Sequence, residues 1–173
     1  LLTLMQQHKR KADDIVKVTA HVHQGAIDVL GPVTDPQTVH QSKFSMGFVL
    51  AMIATLGRAS LADFTEKSIK NNELRKFHDR VTMVFDKDID AAYPRRWIGR
   101  VTVQTGDGRT LECRVETPKG DPENTLSRPE LEDKAQRLVA YSGAATADEM
   151  QKIIARIWRL HNEVTVRDFL ARQ

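Results

Sequence analysis

The sequence predicts an α+β fold: a mostly antiparallel four-stranded sheet with helices on one side, followed by a C-terminal helical segment. Three observations carry this. The run from Phe44 to Leu56 is almost entirely apolar and has the length of a helix, so that helix is buried all round. Four segments, at residues 15–23, 81–85, 97–105 and 109–116, alternate with the period of two that marks a strand with one buried face. Beyond the Pro/Gly loop at residues 118–124 the periodicity is helical only, which places a boundary there and divides the chain into 1–125 and 126–173.

At 173 residues the chain has room for one domain, or one domain and part of another. With 40% hydrophobic and 28% charged residues it has enough apolar surface to fold, which excludes the disordered class. The net charge of +3 is spread among interleaved acids and bases, without a dense basic stripe and stacking aromatics. No nucleic-acid partner is therefore expected; weak, salt-sensitive binding is the least supported alternative. Cys113 is the only cysteine, which rules out an internal disulfide and fits a reducing, cytoplasmic location. The apolar run is too short for a membrane span, and no membrane association is expected. The chain opens on Leu1, Leu2, Leu4 and Met5 rather than on a start methionine, as if entering the middle of a larger protein.

The elements follow in order. Residues 1–10 read as a short helix closed by the basic turn Lys9-Arg10-Lys11, whose cations suit a helix C-terminus. In the first strand Val16, Val18, Ala20 and Val22 share the inner face, opposite Lys17, Thr19, His21 and His23. His21 and His23 have a spacing that can chelate a metal, but no third ligand lies nearby, so they read as solvated histidines and no metal is expected. Residues 24–38 hold Gly25, Gly31, Pro32 and Pro36 and read as loop, with one turn around Ala26 to Leu30. The central helix should start with Ser42 as its N-cap and end at Gly57. Ser60 to Asp63 resembles a capping box opening a second helix through Ile69, and a third, short helix spans residues 73–79. Residues 86–94 read as an acidic connection, and Gly106-Asp107-Gly108 as the turn of a hairpin. In the last strand Leu111, Cys113 and Val115 face inward, so Cys113 reads as a small core residue. Ser127/Glu130 and Thr146/Glu149 are capping boxes for two C-terminal helices, and residues 164–170 fit a final short one.

The polar end of the central helix is the one place with site chemistry, through His40, Ser42, Lys43 and Ser45. A helix start presents unpaired N–H groups and partial positive charge, which with a lysine suits a carboxylate or phosphate. The same residues also fit a plain cap beside a solvated lysine. No phosphate loop, nucleophile elbow or zinc pattern accompanies them.

Several phrases, in this order, resemble the C-terminal part of the MmgE/PrpD family: residues 14–23, Ser42-Lys43-Phe44-Ser45-Met46 with Ala51, Asp63-Phe64-Thr65, Asp90-Ala91-Ala92-Tyr93-Pro94, the hairpin from Val101 to Arg109, Pro118-Lys119-Gly120-Asp121-Pro122, and Leu131 to Lys134. That family includes 2-methylcitrate dehydratases, cis-aconitate decarboxylases and iminodisuccinate epimerases. The resemblance implies that residues 1–125 are most of an α+β lid domain. It implies that 126–173 are the C-terminal return of a helical domain whose main part lies outside this chain.

It further implies a lyase or isomerase that abstracts a proton next to a carboxylate of a small di- or tricarboxylate, without metal or organic cofactor. The principal histidines and lysines of family enzymes fall upstream of Leu1, so no catalytic residue is assigned and the isolated chain is expected to be inactive. Substrate-binding candidates are Lys43 and Ser45, which match the lid motif, with Phe48 and His40. Phe48 stands where some members carry a tyrosine, and phenylalanine offers neither hydrogen bond nor proton. The alternative is a non-catalytic interaction module of the same fold. Apolar stripes through Leu131, Ala135 and Leu138, and from Ala147 to Leu160, predict a homo-oligomer through the C-terminal helices.

Overall fold

The computed structural model describes residues 1–162. It divides into two compact units, Leu1–Asn124 and the chain from Thr125 onward. In the first unit α1 (Leu2–Gln7) leads through a 3₁₀ turn into β1 (Ile15–Val22). There follow α2 (Gln24–Leu30), α3 (Val39–Lys43) and α4 (Met46–Leu56). A 3₁₀ turn at Leu61–Asp63 precedes α5 (Glu66–Ile69) and α6 (Asn72–His78). The unit closes with β2 (Val81–Phe85), α7 (Lys87–Ala92), β3 (Gly99–Thr105) and β4 (Thr110–Val115).

The strands form one sheet in the order β2-β1-β3-β4. β3 is antiparallel to both β1 and β4, as the alternation and the Gly106–Gly108 turn predict. β1 and β2 are parallel, with Val18 opposite Val81 and Val22 opposite Phe85, so the sheet is mixed. The reason lies in the long connection between them: α2 to α6 form a crossover, and a crossover of that length is what returns a chain in parallel.

Local chemistry shifts several elements from their expected positions. Val16 is 57% exposed instead of inward, because the β1–β3 register slips between Ile15 and Lys17 and makes Val16 the extra residue of a bulge. Ile15 takes the core position instead. Residues 24–30 are a helix rather than loop, because the His23 ring accepts the Ala26 N–H at 3.2 Å and so caps it. Residues 87–92 are likewise helical, capped by Asp86 through the N–H groups of Asp88 and Ile89. The Ser60/Asp63 capping box is present but closes a single 3₁₀ turn, and α5 starts afresh under Thr65. Ser42 does not cap the central helix: it lies buried in α3, donating to the Val39 carbonyl at 2.8 Å. Ser45 caps α4 by accepting from the Phe48 N–H at 3.3 Å.

At its other end α4 stops at Gly57, where φ is +71°, a backbone state open to glycine at little cost. Its buried residues Phe48, Ala51 and Met52 meet Leu4 and Met5 of α1, Leu74 and Phe77 of α6, and Val18 and Val103 of the sheet. These residues form the core of the first unit.

In the second unit α8 (Arg128–Ser142) starts under the Ser127/Glu130 capping box and ends at Gly143, φ +65°. α9 (Ala147–Ile157) starts under Thr146/Glu149. Val139 and Ile154 are buried, and the Arg128 guanidinium lies 4.6 Å over the Trp158 ring. The short helix expected at residues 164–170 lies outside the described residues. No helix among the described residues is long and apolar enough to cross a membrane.

Candidate functional site at the start of the central helix

The first turn of α4 borders a cavity of about 330 Å³. Ser45, Met46 and Gly47 form its helical wall. Ile27, Leu30, Val33 and Thr34, from α2 and the loop after it, form a second wall. His78, at the end of α6, closes the third with Val81, Thr82 and Met83 of β2. The wall is mostly apolar, with hydroxyls from Ser45, Thr34 and Thr82 and a single imidazole.

Two features give this cavity its chemistry. The N–H groups of the first helical turn have no intrahelical acceptor and carry the positive end of the helix dipole. Beside them lies His78, whose Nδ1 is 3.0 Å from the Asp79 carboxylate. Gly47 makes that closeness possible, since a Cβ there would meet the ring at 2.7 Å. A helix start, hydroxyls and an imidazole together can hold a small oxyanion and present a proton donor to it. Among the described residues the wall contains no carboxylate and no lysine.

The structure distributes the four candidate residues differently from the sequence expectation. Ser45 borders the cavity, but its side chain is buried and its oxygen serves the cap. Phe48 is 1% exposed and sits in the core on the inner side of α4. Lys43 and His40 belong to the exposed surface of α3, where the His40 ring lies 5.0 Å from that of Phe44. Neither forms part of the cavity wall. The break between α3 and α4 causes this: residues that look like one helix start belong to two helices. His78 and Gly47 are not singled out by the sequence pattern, although a glycine inside an apolar helix is itself a sign of close packing.

His21 and His23 have partners rather than solvent. His23 caps α2 and stacks on Tyr93 with ring centroids 3.9 Å apart. His21 Nε2 is 2.8 Å from the Thr102 hydroxyl, and its Nδ1 is 3.7 Å from Asp86. Asp86 is the hub of this sheet face, accepting from Arg100 at 2.9 Å, while Arg100 also donates twice to Glu112 at 3.0 and 2.8 Å. Hydrogen bonds from the Ile89 and Asp88 N–H groups and from Arg100 hold the Asp86 carboxyl below the usual range, against the opposing effect of its burial. Glu112 is held low in the same way, first by its hydrogen bonds from Arg100. With its charges paired, the network reads as structural.

The family model of the MmgE/PrpD C-terminal domain matches residues 1–160. No curated protein matches the chain.

Proposed function

The chain belongs to the MmgE/PrpD family through its C-terminal domain, and on that premise we propose that it is the lid part of a lyase or isomerase acting on a small di- or tricarboxylate. The reaction is proton abstraction next to a carboxylate, followed by loss of water or carbon dioxide, or by reprotonation. The groups that move the proton lie outside these residues, so the isolated chain binds but does not turn over. The observation that carries the reading is the cavity at the start of α4, where the helix N-terminus and His78 converge. Its volume of about 330 Å³ lies at the lower end of the range for small-molecule pockets, which suits a small carboxylate compound. In this reading Ser45 shapes the helix start, and Lys43 and His40 meet the part of the ligand that extends beyond the cavity.

A citrate titration followed by amide and imidazole NMR signals tests it. Saturable shifts at Met46, Gly47 and His78 are expected; their absence at millimolar citrate would end the assignment.

A second reading, a non-catalytic interaction module of the same fold, draws on Phe48, which carries no donor and is buried. The homo-oligomer belongs to both readings. Leu131, Leu138, Tyr141 and Ile157 are each more than 40% exposed on α8 and α9, an apolar surface that gains by being covered. Sedimentation at high protein concentration should show a dimer or larger; a clean monomer would count against it.

A further inference from the structure

The basic turn Lys9-Arg10-Lys11 is more than a helix ending. Lys9 has φ +50°, a left-handed backbone state that costs a lysine about 1–2 kcal/mol. This reversal carries the chain from α1 to a cavity of about 520 Å³ whose wall includes Arg10 and Lys11. Lys76 of α6 and Arg80, just before β2, join them there. Met5 and Phe77 contribute apolar surface, and Ala54 and Thr55 place the cavity at the C-terminal end of α4. It shares no wall residue with the cavity at the helix start.

The charges in this wall are unbalanced. Four cations face two carboxylates, Asp13 and Glu73. Among the described residues neither Lys11 nor Lys76 has an ion-pair partner. Arg80 donates to the carbonyls of Ala12 and Ile15, so its charge is fixed in place, and among the described residues no carboxylate meets it. One terminal nitrogen of Arg10 reaches Asp107 at 2.8 Å, but Asp107 also serves Arg109. The Arg10 Nε is buried and has no hydrogen-bond partner.

We infer that this cavity binds a multiply charged phosphate compound, its phosphoryl oxygens held by Lys11 and Lys76 beside the guanidinium groups of Arg10 and Arg80, and its apolar part resting on Met5 and Phe77. Lysine ammonium groups are compact point charges suited to phosphate, and the wall holds more cations than carboxylates even with Arg10 paired to Asp107. The rival explanation is ordinary: Lys76 complements the C-terminal dipole of α6, and Lys11 is simply solvated.

Calorimetric titration of the 173-residue chain with pyrophosphate at low salt separates the two. One saturable site is expected, weakened about tenfold in Lys76→Gln and in Lys11→Gln. Lys87→Gln, exposed at the start of α7 and in neither cavity wall, should leave it unchanged. Unaltered thermal midpoints in the lysine variants would exclude misfolding as the cause. Absence of a saturable site, or equal weakening by Lys87→Gln, would overturn the proposal. Citrate binding at this cavity as tightly as pyrophosphate would overturn the assignment to phosphate.

Discussion

The imidazole of His78 rests on the backbone of Gly47, so close that a Cβ on Gly47 would lie 2.7 Å from its Cδ2 and 3.1 Å from its Nε2. The missing side chain is thus a condition for having an imidazole at the first turn of the buried helix. Gly47→Ala should force the ring away and cost about 1–3 kcal/mol, the range for overpacking a filled site. Chemical denaturation checks the loss, and displaced His78 ring signals check its cause. An unchanged His78 environment would mean the contact is looser than these distances imply.

Two serines only three residues apart should respond differently. Ser45→Ala removes the acceptor of the Phe48 N–H in a position almost closed to water, so a loss of about 1–2 kcal/mol is expected. Ser42→Ala removes only a donor to a carbonyl within α3 and should cost less. Parallel denaturant titrations compare them; a larger loss at Ser42 would return the cap to that residue.

Phe48 gives a sharper choice between core and site. Phe48→Tyr adds a hydroxyl at a position 1% exposed, and without a partner that hydroxyl should cost about 1–3 kcal/mol. Thermal unfolding measures this. A variant as stable as the parent, with tighter citrate binding, would show that the ring edge reaches the ligand.

Acid should destabilise the first unit through a few identifiable carboxylates. Asp63 is held low chiefly by the Ser60 hydroxyl, Asp86 chiefly by the Ile89 N–H, and Asp107, at about 2, chiefly by the Thr105 hydroxyl and then by Arg10. Because folding lowers these values, their stabilisation is complete above the unfolded value of about 3.9 and lost as pH falls below it. Thermal midpoints should therefore hold from pH 7 to about pH 5 and drop beneath pH 4. The gap between the parent and Asp86→Asn should be widest near neutrality and narrow in acid. A gap independent of pH would assign Asp86 a purely steric role.

Much of the fold is legible from signals only a few residues long. The capping boxes at Ser127 and Thr146, the Gly57 helix stop and the Gly106–Gly108 turn depend on hydrogen bonds between residues two to four apart, and each stands where its residues place it. The less visible caps, at His23, Ser45 and Asp86, are equally local. They are hidden by stronger neighbours: a glycine-rich stretch, Ser42, and a run of acids. The order of the family phrases is also visible along the chain, which is why family membership is legible from the residues alone.

What the chain does not announce is decided by contacts between residues far apart in sequence. The parallel pairing of β1 with β2 joins Val18 to Val81, and the bulge that turns Val16 outward arises from its fit to β3. His78 reaches the start of α4, and Arg10 and Lys11 come beside Lys76 and Arg80, only because α1, α4 and α6 pack around one core. Sequence by itself determined most of the elements, several of their caps and the family, because periodicity and capping are properties of neighbouring residues. The register, the division of a helix start between α3 and α4, and the walls of both cavities were decided by tertiary structure alone, because packing brings together side chains that no local pattern relates.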